Sequence, residues 1–506
     1  MIVQSKDIAK PIRESADVCI IGSGCGGGPS AKILAEAGKK VVVIEEGGSY
    51  KSEEFVPTEE WAFTNLYQQR AGQATTDLSV TILQGRMVGG STPINWMTSL
   101  RTPEFVLDAW TKLGLSGYAP KEMEPHFASV ENYLNIHPEP DENHNRQNKI
   151  ILEGAKKLGY RTHLNGRNHE GCIQAGVCGF GCPTGAKKSV DVTYIADAVQ
   201  RGATVFSDCR AEKIEVRGTM KRVSGFVLDR PTRKPRFEFS IEAPIVIVAG
   251  SAIQSPLLLQ KSGLTNAHIG KHLTFHLTTA VFGEHTTPMY PWKGIPQSAF
   301  CNEFVNKNGD GGGFWIEAVP ATAVLTAMAL PGFGQPHREK MKLYPNAGAS
   351  IVLVKEIDSE GSVTPNDFGR PTISYKVGPR DLEYLKQGIA AAARIHFAAG
   401  AKSVMTLHAR QTVFNSPSEI EKKLDDASWG TNELSLFSAH PLGTCRMGKD
   451  LHSSVVNSVG QSHDVKGLFV IDGSVTPTSL GVNPMVTLLA IAEKNAKWVA
   501  ENWQQI

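Results

Sequence analysis

The stretch that decides the fold is residues 17–48, DVCIIGSGCGGGPSAKILAEAGKKVVVIEEGG. Val18–Ile21 and Val41–Ile44 are short apolar runs with the composition of buried parallel strands, and the residues between them have helical spacing. Gly38 stands where a helix between these strands would end. The order predicts a β-α-β unit of an α/β fold of the Rossmann type, with a glycine-rich turn after the first strand.

The glycines of that turn follow the spacing G-x-G-x-x-G. Gly22 permits a tight turn, Gly24 lets the backbone approach a pyrophosphate, and Gly27 lets helix and strand pack closely. Glu45 ends the second strand, at the expected distance to accept hydrogen bonds from a ribose. An ordinary glycine-rich turn is the alternative, but the strands, helix and acid together indicate dinucleotide binding. An acid here disfavours a 2′-phosphate, so FAD or NAD is expected rather than NADP.

The bulk properties limit the class of protein. At 506 residues the chain is too long for one simple core, so we expect two domains. A formal net charge of +2 favours neither nucleic acid nor a membrane surface as a partner. Residues 1–17 are polar and lack the apolar core of a signal peptide, and no run is long and apolar enough for a transmembrane segment. We therefore expect a cytoplasmic protein whose eight cysteines are mostly reduced.

A second glycine-rich segment, residues 84–97, reads QGRMVGGSTPINWM. Dense glycines let backbone N–H groups approach an anion or a flat ring, although a plain loop is the alternative. Together with residues 17–48, this segment resembles the glucose–methanol–choline (GMC) oxidoreductases, which bind FAD. The resemblance implies FAD contacts from Arg86, Gly89, Gly90, Ser91 and Asn95. Some members attach FAD through a histidine just before this asparagine; Ile94 stands there, so non-covalent FAD is expected.

Three further segments carry the same resemblance: residues 251–264 (SAIQSPLLLQKSGL), 438–448 (SAHPLGTCRMG) and 472–485 (DGSVTPTSLGVNPM). A lone histidine is usually a hydrogen-bonded core residue, but the family places one over the flavin, with an Asn or His beside it. The resemblance implies that His440 accepts the substrate proton and that Asn483 orients the substrate oxygen. It also implies flavin contacts from Asp472, Gly473, Asn483 and Pro484.

The domains are expected to be discontinuous. Residues 1–100, 166–270 and 436–506 are predicted to form the FAD-binding domain. Residues 101–165 and 271–435 are predicted to form an inserted α+β substrate-binding domain on an antiparallel sheet. Within it, Glu317 is a single acid in an apolar run, so it is either a surface strand residue or a cavity carboxylate with a raised pKa.

Three closely spaced cysteines, Cys172, Cys178 and Cys182, invite two interpretations. Thiolates suit an iron–sulfur cluster, but the spacing is not that of a ferredoxin, and Cys25 or Cys209 would have to supply the fourth ligand. A glycine- and cysteine-rich turn without a metal is the favoured interpretation. A similar stretch occurs in the long-chain alcohol oxidase branch of the GMC family.

These features together predict an enzyme: FAD-dependent oxidation of a primary or secondary alcohol to an aldehyde or ketone, with hydride transfer to flavin N5. The cysteine stretch and the His/Asn pair point to the long-chain alcohol and sterol oxidase branches, and the apolar residues 321–333 suit an apolar alcohol. The electron acceptor is oxygen or a quinone or cytochrome. The alternatives are a dehydrogenase of sugars or aromatic alcohols, a redox-inactive FAD lyase, and a non-catalytic electron-transfer subunit.

Overall fold

The computed structural model describes residues 1–506. The strands are β1 (Ile2–Val3), β2 (Ile12–Ser15), β3 (Val18–Ile21), β4 (Val41–Ile44), β5 (Gln73–Ala74), β6 (Val80–Ile82), β7 (Ile136–Pro138), β8 (Thr162–Leu164), β9 (Gly166–Asn168), β10 (Thr204–Phe206), β11 (Cys209–Arg217), β12 (Met220–Leu228), β13 (Pro235–Ala243), β14 (Ile245–Val248), β15 (Thr278–Glu284), β16 (Ala299–Val305), β17 (Gly313–Ala318), β18 (Ala347–Lys355), β19 (Glu360–Pro365), β20 (Pro371–Lys376), β21 (Ser403–Thr406), β22 (Val413–Phe414), β23 (Leu436–Ser438) and β24 (Leu468–Val470).

The helices alternate with these strands along the chain. They are α1 (Gly27–Glu36), α2 (Glu59–Leu66), α3 (Glu104–Lys112), α4 (Pro120–Tyr133), α5 (Arg146–Lys157), α6 (Tyr194–Gln200), α7 (Ser251–Lys261), α8 (Ala323–Ala329), α9 (Gly334–Lys342), α10 (Pro379–Ala398), α11 (Ile420–Asp425) and α12 (Met485–Glu501). None of them is both long enough and apolar enough to cross a lipid bilayer.

The first layer is a six-stranded parallel sheet in the order β1-β10-β4-β3-β14-β24. The strands β3, β4, β14 and β24 are buried along their whole length, which explains their unbroken apolar sequences. The predicted strands Val18–Ile21 and Val41–Ile44 are confirmed at those bounds. Helix α1 packs against α6 and α12 on this sheet. The order is that of a doubly wound Rossmann-type domain, as predicted.

A four-stranded sheet, β11-β12-β13-β2, extends from this domain. The second large layer contains β5-β6-β23-β15-β18-β17-β16-β8 along one path, with β21 and β22 joined to β15. Most of its neighbours are antiparallel, and helices α5 and α10 pack on it. This is the predicted antiparallel sheet of an inserted domain.

Three elements pack in a layer other than that of the domain to which the sequence assigned them. Strand β6 pairs in parallel with β23 and so belongs to the second large sheet, although residues 1–100 were assigned to the FAD-binding domain. Helices α3 and α4 were assigned to the substrate domain, yet they bury Trp110 and Phe127 in the core of the parallel sheet. The cause is the apolar stripe on each helix: α4 packs against α12, and α3 packs against α4.

Candidate active site

The glycine-rich turn after β3 is held against the ends of two neighbouring strands. Gly22 has a φ of +100°, and a Cβ there would lie 2.2 Å from the carbonyl oxygen of Ala249. At Gly26 a Cβ would lie 1.5 Å from the carbonyl oxygen of Ile471, so no side chain fits between the turn and the end of β24. Gly26 was not predicted as a site residue, and its signal in the sequence is the unbroken run of glycines at residues 26–28.

The two glycine-rich segments meet backbone to backbone. A Cβ on Gly90, whose φ is +63°, would lie 2.7 Å from the Cα atom of Gly24. Gly89 does not line the cavity; its N–H donates to the hydroxyl of Ser23 at 3.0 Å. Gly27 begins α1, and a Cβ there would lie 1.9 Å from the carbonyl oxygen of Gly22. Both glycines therefore serve close packing beside the cavity.

Glu45 is buried at the end of β4, where it fastens the turn. Its Oε2 accepts hydrogen bonds from the Ser23 N–H at 3.0 Å and the Ser23 hydroxyl at 2.6 Å, and its Oε1 accepts from the Gly47 N–H at 2.8 Å. Burial raises the pKa of this carboxyl, and the hydrogen bonds from Ser23 and Gly47 oppose that rise. Glu45 also lines the cavity.

One large cavity, of about 1050 Å³, lies between the parallel sheet and the second large sheet. It is bordered by twelve of the residues named from the sequence: Gly22, Gly24, Glu45, Arg86, Gly90, Ser91, Asn95, His440, Asp472, Gly473, Asn483 and Pro484. Four segments far apart in the chain therefore meet around a single space.

Asp472 is buried at the rim of this cavity and joins two loops. Its carboxylate accepts from the Ser251 N–H at 2.9 Å, from the Ser255 hydroxyl, and from the Ser474 N–H at 2.8 Å. Burial raises its pKa, and these hydrogen bonds oppose the rise. Asp472 thus holds the beginning of α7 to the loop after β24.

His440 is a partly buried wall residue with a histidine behind it. Its Nδ1 lies 3.0 Å from Nδ1 of His276, which is fully buried. Nε2 of His276 accepts the N–H groups of Gly481 at 2.9 Å and Leu480 at 3.2 Å. Burial lowers the pKa of His440 to about 4, so this imidazole is neutral at physiological pH. His276 was not predicted from the sequence.

Glu317 is fully buried in β17, behind the wall of the cavity. Its Oε2 accepts a hydrogen bond from the side-chain amide of Gln297 at 2.8 Å, and Gln297 lines the cavity next to Asn483. Burial raises the pKa of Glu317 to about 7, and the amides of Gln297 and Asn483 oppose that rise. Of the two interpretations of this acid, the surface strand residue is therefore wrong. Gln297 was not predicted.

Large apolar side chains also border this cavity. Side chains from both large sheets and from the second glycine segment contribute to it: Ile94, Trp96, Val319, Ile351, Leu353, Phe437 and Leu442. Asn95 is fixed at this end of the cavity, since its amide donates to Met485 Sδ at 3.0 Å.

The three cysteines lie elsewhere. Cys172, Cys178 and Cys182 border a second, much smaller cavity. Cys25 and Cys209, the candidates for a fourth ligand, border the large cavity instead. No group of three or more His, Cys, Asp or Glu side chains is placed to hold a metal ion.

The cysteine segment is nonetheless joined to the second glycine segment. Lys187 is buried, and its ammonium group donates to the carbonyl oxygens of Asn95 at 2.6 Å and Cys178 at 3.2 Å. Burial lowers the pKa of Lys187 to about 8. This lysine ties the turn that carries the cysteines to the loop that carries Asn95.

Comparison with known proteins identifies the family. Sequence models of the two parts of the GMC oxidoreductases match residues 43–278 and 358–492. An uncharacterised GMC-type oxidoreductase of Mycobacterium tuberculosis is 31% identical over 94% of this chain and 74% of its own length. The chain belongs to the GMC oxidoreductase family. This GMC oxidoreductase is also 30% identical to the long-chain alcohol oxidase FAO1 of Arabidopsis thaliana, over 96% of this chain. It spans 66% of that relative's length.

Solved structures share the fold. Pyridoxine 4-oxidase from Mesorbium loti superimposes with a TM-score of 0.74, at 19% identity, over 95% of this chain and 98% of that chain. A fungal aryl-alcohol oxidase gives a TM-score of 0.67 at 16% identity, over 97% of this chain and 100% of that chain. The predicted fold is thereby confirmed.

The residues around the large cavity fit FAD, the cofactor that this family binds. The turn borders the cavity with bare backbone, because a side chain at Gly22 or Gly26 would meet a carbonyl oxygen of a neighbouring strand end. Nε of Arg86 is buried there without a hydrogen-bond partner in the protein, which suits a negatively charged or polar group of a ligand.

Proposed function

We propose that this GMC oxidoreductase oxidises a primary or secondary alcohol to the aldehyde or ketone with FAD as its cofactor. The observation that carries the proposal is the convergence of His440, Gln297 and Asn483 on the cavity that also contains the glycine-rich turn. An alcohol at this end of the cavity would meet hydrogen-bonding groups on one side and the cofactor site on the other.

FAD, when bound, supplies an acceptor for two electrons, so the protein needs neither a nucleophile nor a metal ion for this reaction. The protein orients the alcohol. The Asn483 Oδ1 atom is buried and has no hydrogen-bond partner in the protein, so it is free to accept the substrate hydroxyl. Glu317 holds the amide of Gln297 by accepting its N–H group, which leaves the Gln297 carbonyl oxygen as a second acceptor.

The hydroxyl proton must leave during the oxidation, and two groups qualify to receive it. His440 is the group that the family resemblance names. Glu317 is the other, because its pKa of about 7 lets a carboxylate and a carboxylic acid interconvert at neutral pH. The choice between His440 and Glu317 depends on which ring nitrogen of His440 carries the hydrogen.

The side chains that border the large cavity indicate the class of substrate. Seven of the side chains that border the cavity are the large apolar ones named above, so an alcohol with an apolar body is favoured. The long-chain alcohol oxidases similar to this chain act on substrates of that description by name. Oxygen is proposed as the electron acceptor on the same ground.

The cofactor is proposed to be held non-covalently. Ile94, at the position where some family members carry a histidine, is an alkyl side chain with no atom able to bond to a flavin. Acid denaturation should release all the flavin into the supernatant. Flavin that precipitates with the protein would show a covalent bond.

The test of the reaction is the visible spectrum of the purified protein under anaerobic conditions, before and after addition of alcohols. We expect the flavin to bleach with long-chain alcohols and to be reoxidised by oxygen with release of hydrogen peroxide. His440→Ala should still bind FAD but slow the bleaching by about 10²–10⁴-fold. His452→Ala, at an exposed histidine outside the cavity, is the matched control for substitution as such.

The other outcomes are informative. A flavin that no alcohol bleaches would refute alcohol oxidation and favour the lyase alternative. Bleaching without peroxide, with reduction of a quinone or dye, would make the protein a dehydrogenase. Full-speed bleaching in His440→Ala would remove His440 from the reaction.

A further inference from the structure

His276 is the one side chain that hydrogen-bonds to the ring of His440, and sheet register explains how it arrives there. Strands β15 and β23 are antiparallel with Thr278 opposite Phe437, and the segments continue to the bridge between Thr274 and Leu442. The register shifts by one residue between these two bridges: counted from the first, residue 276 lies opposite 439, and counted from the second it lies opposite His440. The contact is therefore built into the backbone pairing of the substrate sheet.

The surroundings of His276 determine where its hydrogen sits. Its Nε2 is approached by two backbone N–H groups, those of Gly481 at 2.9 Å and Leu480 at 3.2 Å. A backbone N–H only donates, so this nitrogen must be the bare acceptor of the ring. A neutral imidazole carries one hydrogen, which is then on Nδ1 of His276. That N–H points at Nδ1 of His440, 3.0 Å away.

The same reasoning fixes the second ring. Nδ1 of His440 accepts from His276 and is therefore bare, so the hydrogen of the neutral His440 ring sits on Nε2. Nε2 is the nitrogen with no partner in the protein, on a side chain that lines the cavity. The opposite arrangement would place a hydrogen on Nε2 of His276 against two N–H donors, leaving all three without an acceptor.

Both rings stay neutral in this environment. Burial lowers the pKa of His440 to about 4. For His276, burial lowers the pKa far below its usual range, and the neighbouring His440 and Lys355 lower it further. No carboxylate acts on either ring, so nothing nearby favours an imidazolium.

We propose that His276 is a positioning residue that fixes His440 in the Nε2–H tautomer, so that His440 meets the alcohol oxygen as a hydrogen-bond donor and not as a proton acceptor. The proposal rests on the proposed function. It replaces the proton-accepting role expected for His440 from sequence. With its hydrogen on Nε2, His440 would keep that hydrogen, so the hydroxyl proton would have to go to Glu317, the second group named above, which lies behind the cavity wall and holds Gln297. Bound FAD would supply the acceptor for the hydride.

Two variants at position 276, whose side chains have the same shape as each other, test the proposal. In His276→Gln the amide still accepts the N–H groups of Leu480 and Gly481 and donates to His440, so the Nε2–H tautomer should persist. In His276→Glu the carboxylate only accepts, so Nδ1 of His440 should become protonated and Nε2 bare. The readout is the ¹⁵N spectrum of the histidine rings in the FAD-bound protein, with His440→Asn used to assign the signals.

We expect a protonated Nε2 and a bare Nδ1 for His440 in the wild-type protein and in His276→Gln, and the reverse in His276→Glu. A bare Nε2 in the wild-type protein would overturn the proposal. This readout needs no substrate, so it is distinguishable from a failure of the proposed function, which would appear as a wild-type flavin that no alcohol bleaches.

Rates of flavin bleaching supply the second readout. Loss of one preorganised donor should slow anaerobic bleaching in His276→Glu by about 10²–10³-fold, with flavin content unchanged. His276→Gln should recover most of that loss, which a merely structural defect would not allow. If His276→Glu shows the reversed tautomer and bleaches as fast as the wild type, the donor role of His440 is wrong.

Discussion

Glu317 offers the sharpest quantitative prediction, because it is a fully buried acid with a defined set of partners. Its pKa is raised from the usual 4.5 to about 7, first by burial, against the hydrogen bonds from Gln297 and Asn483. The unfolded chain therefore loses this proton near pH 4.5, whereas the folded protein keeps it until about pH 7. Between those values the unfolded state binds fewer protons, so folding stability falls as the pH rises.

The size of the effect follows from the same numbers. A rise in pKa from 4.5 to about 7 costs about 3 kcal/mol of folding free energy once both states are ionised. Glu317→Gln keeps the shape of the side chain and removes the charge, so it should abolish this loss. Relative to the variant, the wild-type protein should lose about 3 kcal/mol between acid and mildly alkaline pH.

The assay is urea unfolding of the FAD-bound wild-type and Glu317→Gln proteins across that pH range. Every other carboxyl group titrates in both proteins and cancels in the difference. Glu339→Gln, on the exposed surface of α9, controls for removal of a carboxylate as such. In parallel, the infrared band of a protonated carboxylic acid should disappear near pH 7 in the wild type and be absent from Glu317→Gln. Parallel stability curves, or a band that titrates near pH 4.5, would refute the reasoning.

Two further predictions concern the cofactor end of the cavity. Gly26→Ala should abolish FAD binding or prevent folding, because its Cβ would lie 1.5 Å from the carbonyl oxygen of Ile471; Gly38→Ala, with φ of +75° and open space around it, should cost only about 1–2 kcal/mol. Flavin content per protein and the midpoint of urea unfolding distinguish the two variants. Glu45→Gln should weaken FAD binding by about tenfold, since the neutral amide is a poorer acceptor for the Ser23 N–H and hydroxyl that shape the turn. Titration of flavin fluorescence measures this, and an unchanged dissociation constant would contradict it.

The parts of the molecule that were predicted from sequence are those with local signals. The strands β3 and β4 came out at their predicted bounds, because an unbroken apolar run is written in consecutive residues. The site residues were named from the glycine pattern and from motif resemblance, and eleven cofactor-site residues border one cavity together with His440. Their contacts with FAD stay predictions.

The residues that sequence missed are those whose partners lie far along the chain. His276 stands in the segment LTFHLTT with no motif around it. Its contact with His440 depends on an antiparallel pairing with residues more than 150 positions away. Gln297 is likewise an isolated polar residue until β17 brings Glu317 to it. The sheet to which β6 belongs is likewise set by a distant partner, since β6 pairs with a strand at residues 436–438. Periodicity carries no information about such pairings.

Different contacts hold the two ends of the cavity in place, so substitutions at the two ends should have different effects. At the cofactor end, side chains of one loop fasten the next: Glu45 holds Ser23, Ser23 holds Gly89, and Lys187 holds Asn95. A change in one of these residues disturbs several loops at once. At the substrate end, the pairing of β15 with β23 positions the two histidines, while the apolar wall residues are bound only by packing. Wall substitutions should therefore alter the choice of alcohol while leaving the tautomer of His440, and the binding of FAD, in place.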